Sequence, residues 1–178
     1  MKPHTLVALR KMLSKRLTEE DLFEITFHTQ GIEDNPAKQA LYSLLFDENK
    51  RVSNNAAWVF THFDLHSNQW LYPRQHELTD EVMRTPDDTK RRLLLTILLR
   101  QPFHPADIRT DFLDFCLKHM LLTSEPTAVR VLCMKLAYEQ CKFFPDLLTE
   151  LRAGLEIMEP ALLPAALKTA RRNLLKKL

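Results

Sequence analysis

The chain has 178 residues, 45% of them hydrophobic and 27% charged, which is enough to bury the core of one domain or one continuous repeat array. Only two residues are glycine, and because tight hairpin turns need glycine, the composition argues against an all-β fold. The net charge is +2, but ten of the 25 basic residues lie within residues 1–17 and 168–178. The rest of the chain contains the other 15 basic residues and all 23 acidic residues, so its net charge is −8.

Apolar residues recur at helical spacing along the chain and predict ten helices. The helices are expected at residues 3–16, 19–29, 35–46, 49–64, 73–84, 87–101, 105–122, 126–141, 145–157 and 160–176. Prolines precede most of these segments, where a helix tolerates a residue without an N–H. The helices form five pairs, with units expected at residues 3–30, 35–63, 73–101, 105–141 and 145–178. The longest apolar run, residues 93–99, is too short to cross a bilayer, so no membrane span is expected.

The helix pairs repeat in sequence. Val52 and Val129 are each followed by a small residue four positions later and by apolar residues seven and eight positions later. Arg91 stands where the third unit is expected to have valine, and Leu163 opens the last unit. These starts are 39, 38 and 34 residues apart, a period typical of two-helix solenoid repeats.

Residues 44–58 contain Leu-Leu-Phe-Asp, Asn-Lys-Arg-Val and Asn-Ala-Ala-Trp, and residues 127–130 read Thr-Ala-Val-Arg. These segments resemble the HEAT/armadillo family, most closely over residues 35–63 and 124–157. The resemblance implies an all-α fold: a right-handed α-α superhelix of about five HEAT-like helix pairs, forming one domain over residues 1–178. It brings no catalytic residues with it. The end pairs of such an array need polar outer faces, which the basic terminal helices are expected to supply.

The helix near residues 49–64 carries the main candidate for partner binding. Arg51, Asn55, Trp58 and His62 follow one another at steps of four, three and four, so they form a stripe beside the apolar face. Tryptophan and arginine dominate binding hot spots, which makes the stripe suitable for a ligand or peptide. Alternatively, the next repeat covers Trp58 and the other three side chains are a solvated flank. Lys135 is a further candidate for the same groove.

The segment 64–75 is longer than the other links and carries Trp70 and Tyr72. Two interpretations stay open: the aromatic side chains recognise a partner, or they fill the groove between repeats.

Two sets of basic residues have a structural and a functional interpretation. Arg51 and Arg130 follow acidic residues closely and are expected to bind helix-start carbonyls or neighbouring acids, rather than a ligand. The C-terminal helix is amphipathic and basic, and it forms either a phosphate-binding or anion-binding patch or a solvated cap. Its basic residues are Lys168, Arg171, Arg172, Lys176 and Lys177.

No enzyme, metal or cofactor is expected. Phosphate-binding and nucleophile motifs are missing, and two glycines can hardly build their loops. His62 and His66 are four residues apart and form a weak metal candidate, with only Asp64 between them as a third ligand. The three cysteines form no CxxC pair, which favours buried, reduced thiols.

These observations predict a non-catalytic, cytoplasmic scaffold that binds a protein or peptide on the concave face of its second helices. An N-terminal signal peptide is not expected, because the basic start is not followed by a sufficiently apolar stretch. The alternative is a nucleic-acid-binding protein similar in architecture to the HEAT-like DNA alkylpurine glycosylases. His62 stands one turn after Trp58, where that resemblance calls for an aspartate, and the acidic middle disfavours nucleic acid.

Overall fold

Eleven α-helices and three short 3₁₀ helices make up most of residues 5–178, the part of the chain that this computed structural model describes. No β-strand occurs in that range. The α-helices, in chain order, are α1 Leu6–Leu13, α2 Glu19–Thr29, α3 Pro36–Leu44, α4 Lys50–Thr61, α5 Leu65–Asn68, α6 Gln75–Arg84, α7 Asp88–Leu98, α8 Thr110–Leu121, α9 Thr127–Cys141, α10 Pro145–Ile157 and α11 Ala165–Leu175. The 3₁₀ helices are Gln69–Arg74, Pro105–Asp107 and Pro160–Leu162.

Ten of these α-helices have eight residues or more, and they confirm the predicted all-α fold of five helix pairs. The pairs are α1–α2, α3–α4, α6–α7, α8–α9 and α10–α11, and only the four-residue α5 was not expected as a helix. Residues 3 and 4 of the first predicted helix and unit, and Lys2 of the basic N-terminal stretch, lie outside the described residues.

Local capping explains most helix starts. Thr5, Asn35, Asn49, Asp64 and Asp87 each accept a hydrogen bond from a backbone N–H in the first turn of the helix that follows. At α2 the cap is reciprocal, because Thr18 and Asp21 bind each other's backbone N–H groups. The sequence encodes these ends locally, which is why the predicted boundaries are close to the observed ones.

Two predicted starts are too early. The helix expected from residue 160 begins at Ala165, because Leu163 precedes Pro164 and a residue before proline is pushed out of the helical region. Leu163 accordingly has φ −87 and ψ 138. The helix expected from residue 105 begins at Thr110, because the extended backbone of Ile108 and Arg109 separates it from the 3₁₀ helix that Pro105 opens.

The repeat register also differs from the predicted one. Helices α4, α7, α9 and α11 start 38, 39 and 38 residues apart. Their third residues are Val52, Lys90, Val129 and Leu167, and all four are buried. Lys90, rather than Arg91, therefore stands in the place of the repeat valine, and the position of Leu163 in the last unit is wrong.

The first compact unit ends at Leu78. Within it, both helices of the first pair pack against α3 and α4. The first pair exposes Leu6, Val7, Phe23 and Phe27, with Val7 79% and Phe23 73% accessible. The exposed surface of this pair therefore includes apolar side chains as well as the predicted basic ones.

A buried lysine organises the turn before α3. Lys38 is fully buried, and its Nζ donates to the carbonyl oxygens of Gly31 and Glu33, at 2.5 Å each. Gly31 has φ +96, a conformation that favours glycine. Burial lowers the pKa of Lys38, although the nearby Asp34 opposes that change. The Lys38 amine is therefore used for hydrogen bonds within the fold.

The second compact unit begins at Thr79 and is centred on α9, which packs against α7, α8, α10 and α11. A buried ion pair lies near the N-terminal end of this second unit, where Lys90 Nζ is 2.5 Å from Glu81 Oε1. Arg84 binds the other oxygen of the same carboxylate. Burial by itself would raise the pKa of Glu81, but the hydrogen bonds from Lys90 and Arg84 bring it below its usual value.

A side chain of the second helix caps the end of the first helix in four pairs. In three pairs the donor is the fourth residue of the second helix. Ser53 Oγ of α4 donates to the Leu45 carbonyl at 2.7 Å. Arg91 Nη2 of α7 donates to the Thr85 carbonyl at 2.6 Å, and Arg130 Nε of α9 donates to the Met120 carbonyl at 3.1 Å. In the last pair Arg171 Nε donates to the Leu155 carbonyl at 2.7 Å. The last carbonyls of a helix have no partner within that helix, so these bonds join the two helices of a pair.

These caps correct the prediction for the two arginines. Arg130 does bind a carbonyl, but at the end of a helix instead of at its start. Arg51 takes no part in the set, because Ser53 has that position in α4.

Candidate functional site

The predicted stripe on α4 is present, but its four side chains make different contacts. Trp58 is half-buried and its ring makes an edge contact with His62, 5.4 Å between centroids. His62 Nδ1 lies 2.9 Å from the Trp58 carbonyl, at the end of the helix. Asn55 donates to the carbonyls of Leu13 and Lys15, at 2.8 and 2.9 Å, so it joins α4 to the end of α1. The Asn55 amide nitrogen is therefore used within the fold.

An open hollow of about 670 Å³ adjoins the first turn of α4. It is lined by Ser14, Asn49, Lys50, Arg51, Asn54 and Asn55. Arg51 is exposed at this hollow, whereas Trp58 and His62 do not line it. The stripe is therefore divided into a polar end and an aromatic end.

Trp70 is only 7% exposed, so of its two interpretations the one in which it recognises a partner is wrong. Its ring lies nearly parallel to that of Phe60, and the Arg74 guanidinium stacks on it with Cζ 3.6 Å from the ring centroid. Its Nε1 donates to Asp34 at 3.2 Å. The alternative interpretation, in which the aromatic group fills a gap in the fold, describes Trp70, while Tyr72 is half-buried.

Tyr42 completes this aromatic cluster. Its ring packs edge-on against Trp70 with 5.7 Å between centroids, and its hydroxyl donates to Glu77 at 2.5 Å. Burial and the adjacent Glu77 carboxylate raise the pKa of Tyr42 well above its ordinary value. The polar groups of Tyr42, Trp70 and Arg74 all bind neighbouring side chains or rings, so the cluster stabilises the fold.

A second hollow, of about 600 Å³, lies among the second helices of residues 79–178. It is lined by Leu99, Lys135, Tyr138, Glu139, Ala170, Asn173, Leu174, Lys176 and Lys177. Helical spacing explains the set: Lys135, Tyr138 and Glu139 share one face of α9 because they are three and four residues apart. The hollow brings Lys135 together with Lys176 and Lys177, which the sequence alone left in separate groups.

The basic and apolar sides of this hollow are in contact. Lys177 Nζ lies 5.2 Å from the centre of the Tyr138 ring, within the range of a cation–π interaction. Glu139, the one acid among the lining residues, is 2.6 Å from Lys142 Nζ. Its charge is therefore balanced locally, and the lining of the hollow has an excess of lysines over acids.

Charges are segregated between first and second helices in this unit. Helices α7, α9 and α11 contain eight basic and two acidic residues, whereas α8 and α10 contain two basic and five acidic residues. Half of the eight basic groups are used within the fold, namely Lys90, Arg91, Arg130 and Arg171. The exposed ones are Arg92, Lys135, Lys168 and Arg172.

The predicted basic C-terminal patch is therefore smaller than expected. Arg171 is half-buried and its Nε donates to the Leu155 carbonyl, so part of its guanidinium is already used within the fold. Lys168 and Arg172 are exposed.

No group of three His, Cys, Asp or Glu side chains suited to a metal ion occurs within residues 5–178. His66 is exposed on α5, and the ring of His62 is already hydrogen-bonded to α4. All three cysteines are free and buried. Burial raises the pKa of Cys116, and it raises that of Cys141 to about 11, so neither thiol is an activated nucleophile.

Sequence reasoning missed Tyr138 and Asn173 as lining residues. The available signal was the spacing of Ala170, Asn173 and Leu174, which share one face of the last helix, while Lys177 follows two residues after the end of that helix. That spacing identifies a face of α11, but it does not say that the face adjoins Lys135.

Comparison with known proteins gives one match. The sequence pattern of the HEAT repeat domain matches residues 9–178. No curated protein and no solved structure matches the chain. Over the described part of the chain, none of the helices has the length and apolar character to cross a membrane.

Proposed function

The chain belongs to the HEAT repeat domain family, and from this premise we propose that it is a non-catalytic scaffold. It binds a protein or peptide partner through side chains of its second helices. Stacked helix pairs suit this function because they offer a broad, regular surface, and binding there requires no reactive group.

The observation that carries the proposal is the hollow lined by Lys135, Tyr138 and Lys177. It combines exposed positive charge with an aromatic ring and apolar side chains, and its volume of about 600 Å³ is sufficient for side chains of a partner. Arg51 and Trp58 on α4 are a separate candidate contact, since both remain at least partly accessible. The three free cysteines suit a reducing compartment, and we place the protein in the cytoplasm.

The proposal is tested by affinity capture and mass spectrometry from the source cell, with the full chain as bait. Lys135→Glu should reduce recovery of the partner at least tenfold. Lys118→Glu is the matched control, because it makes the same charge change on an exposed position of α8, a first helix. Trp58→Ala tests the α4 surface separately. Equal recovery with Lys135→Glu and Lys118→Glu, or no specifically retained protein, would overturn the proposal.

A second candidate function is nucleic-acid binding, which the segregation of basic residues onto the second helices favours. It is weaker because half of those residues are engaged in the fold, and duplex binding requires many phosphate contacts. Steeply salt-dependent binding to duplex DNA, or release of alkylated bases from it, would favour this candidate. We expect neither.

A further inference from the structure

We infer that the hollow between α9 and α11 binds an acidic peptide segment in which a carboxylate residue lies next to an apolar one. This inference rests on the proposed function and specifies the chemistry of the partner.

Charge complementarity selects an anion. Three lysines, Lys135, Lys176 and Lys177, are exposed around the hollow, and none of them forms an ion pair with an acid within residues 5–178. The one lining acid, Glu139, is held by Lys142 and so does not neutralise them. A partner carboxylate placed here gains charge-assisted hydrogen bonds from these exposed amines, of which the Lys177 amine also lies over the Tyr138 ring.

The remaining lining selects an apolar neighbour for that carboxylate. Leu99 and Tyr138 are half-buried at the hollow, and Ala170 and Leu174 are buried beneath it. An apolar side chain placed against them removes additional apolar surface from water, which contributes about 25 cal/mol for each Å² buried. Asn173 adds an amide that can bind a peptide backbone or a carboxylate.

The dimensions favour a peptide over a nucleic acid. Pockets for single ligands enclose about 300–1,000 Å³, and this hollow of about 600 Å³ lies within that range. A nucleic-acid groove instead needs a long series of cations that tracks successive phosphates. Here Arg91, Arg130 and Arg171 interrupt such a series, because their guanidinium groups are turned to carbonyls of the first helices.

The test is a selection of phage-displayed random nonapeptides on the immobilised full chain. The expected result is enrichment of Asp or Glu adjacent to Leu, Ile or Phe. The most enriched peptide, synthesised with a fluorescent label, should bind the Lys135→Glu/Lys177→Glu variant at least tenfold more weakly than the unmodified chain by fluorescence anisotropy. Lys118→Glu should bind it within twofold of the unmodified chain, and circular dichroism checks that each variant is folded.

Enrichment of neutral or basic peptides, or equal affinity for the unmodified chain and the double variant, would overturn the inference. Tighter binding of a labelled 12-nucleotide single strand than of the selected peptide would also overturn it and point to nucleic acid. If the inference fails while captured partners still depend on Lys135, the scaffold proposal stands and only the ligand class is wrong. If capture is independent of Lys135 as well, both fail.

Discussion

Replacing Glu81 with glutamine should destabilise the fold strongly, because it removes the negative charge from a buried ion pair. Glu81 is 6% exposed and Lys90 is 7% exposed, so the buried Lys90 ammonium would lose the carboxylate that it binds. Breaking a buried pair by removing one partner costs about 3–5 kcal/mol. For a urea dependence of about 2 kcal/mol per molar, a loss of about 4 kcal/mol lowers the unfolding midpoint by about 2 M.

The two partners of the pair are not equivalent. Lys90→Met should cost less than Glu81→Gln, because Arg84 continues to bind the remaining carboxylate. Glu81→Met combined with Lys90→Met removes both buried charges, and such replacements are often neutral or stabilising. We therefore expect the double variant to be more stable than Glu81→Gln in urea unfolding followed by circular dichroism at pH 7.

Acid titration supplies an independent check. The folded pKa of Glu81 lies below its usual value of 4.5, so the stability it contributes is present above that pH and is lost as the pH falls through the folded value. The difference in midpoint between the unmodified chain and Glu81→Gln should therefore shrink as the pH falls below 4.5 and through the folded pKa of Glu81. A cost of less than about 1 kcal/mol for Glu81→Gln, or a double variant as unstable as the single one, would refute the reasoning.

Three further results are expected. Trp70→Leu should lower the stability in urea unfolding by about 2–4 kcal/mol. It removes the ring that contacts Phe60 and Arg74, and it removes the hydrogen bond to Asp34. An unchanged midpoint would contradict the burial of Trp70. A hydrogen bond from Arg10 lowers the pKa of Asp47 below its usual 3.8, so this pair stabilises the fold above that pH and stops doing so as the pH falls through the folded value. Asp47→Asn should consequently flatten the acid limb of the stability profile, and parallel profiles would count against the pair. The three buried cysteines should react with a thiol reagent only in urea concentrations that unfold the chain, and rapid labelling of the native protein would show that they are accessible.

The helices were predictable because their signals are local. Capping residues such as Thr18 and Asn35, and the return of apolar residues every three or four positions, determine where a helix begins and which face is buried. The prediction was wrong where a second local rule intervened. Pro160 was expected to open the last helix, but Pro164 four residues later delayed the start to Ala165.

The candidate site was less predictable, because the sequence shows which residues share a helix face but not what that face meets. Asn55 and Trp58 lie on one stripe, yet Asn55 is used to bind the end of α1. Trp70 was open to two interpretations until its contacts with Phe60 and Arg74 showed it to be part of the core.

By itself the sequence determined an all-α chain of five helix pairs with a period of about three dozen residues, since helical periodicity and capping depend on neighbours within a turn or two. Only the tertiary structure decided which charged groups form contacts within the fold and which remain exposed. Arg171 and Lys177 both belong to one basic stretch, but the first caps α10 while the second meets Tyr138 beside Lys135. That distinction depends on contacts between residues in different helices, and no local pattern encodes it.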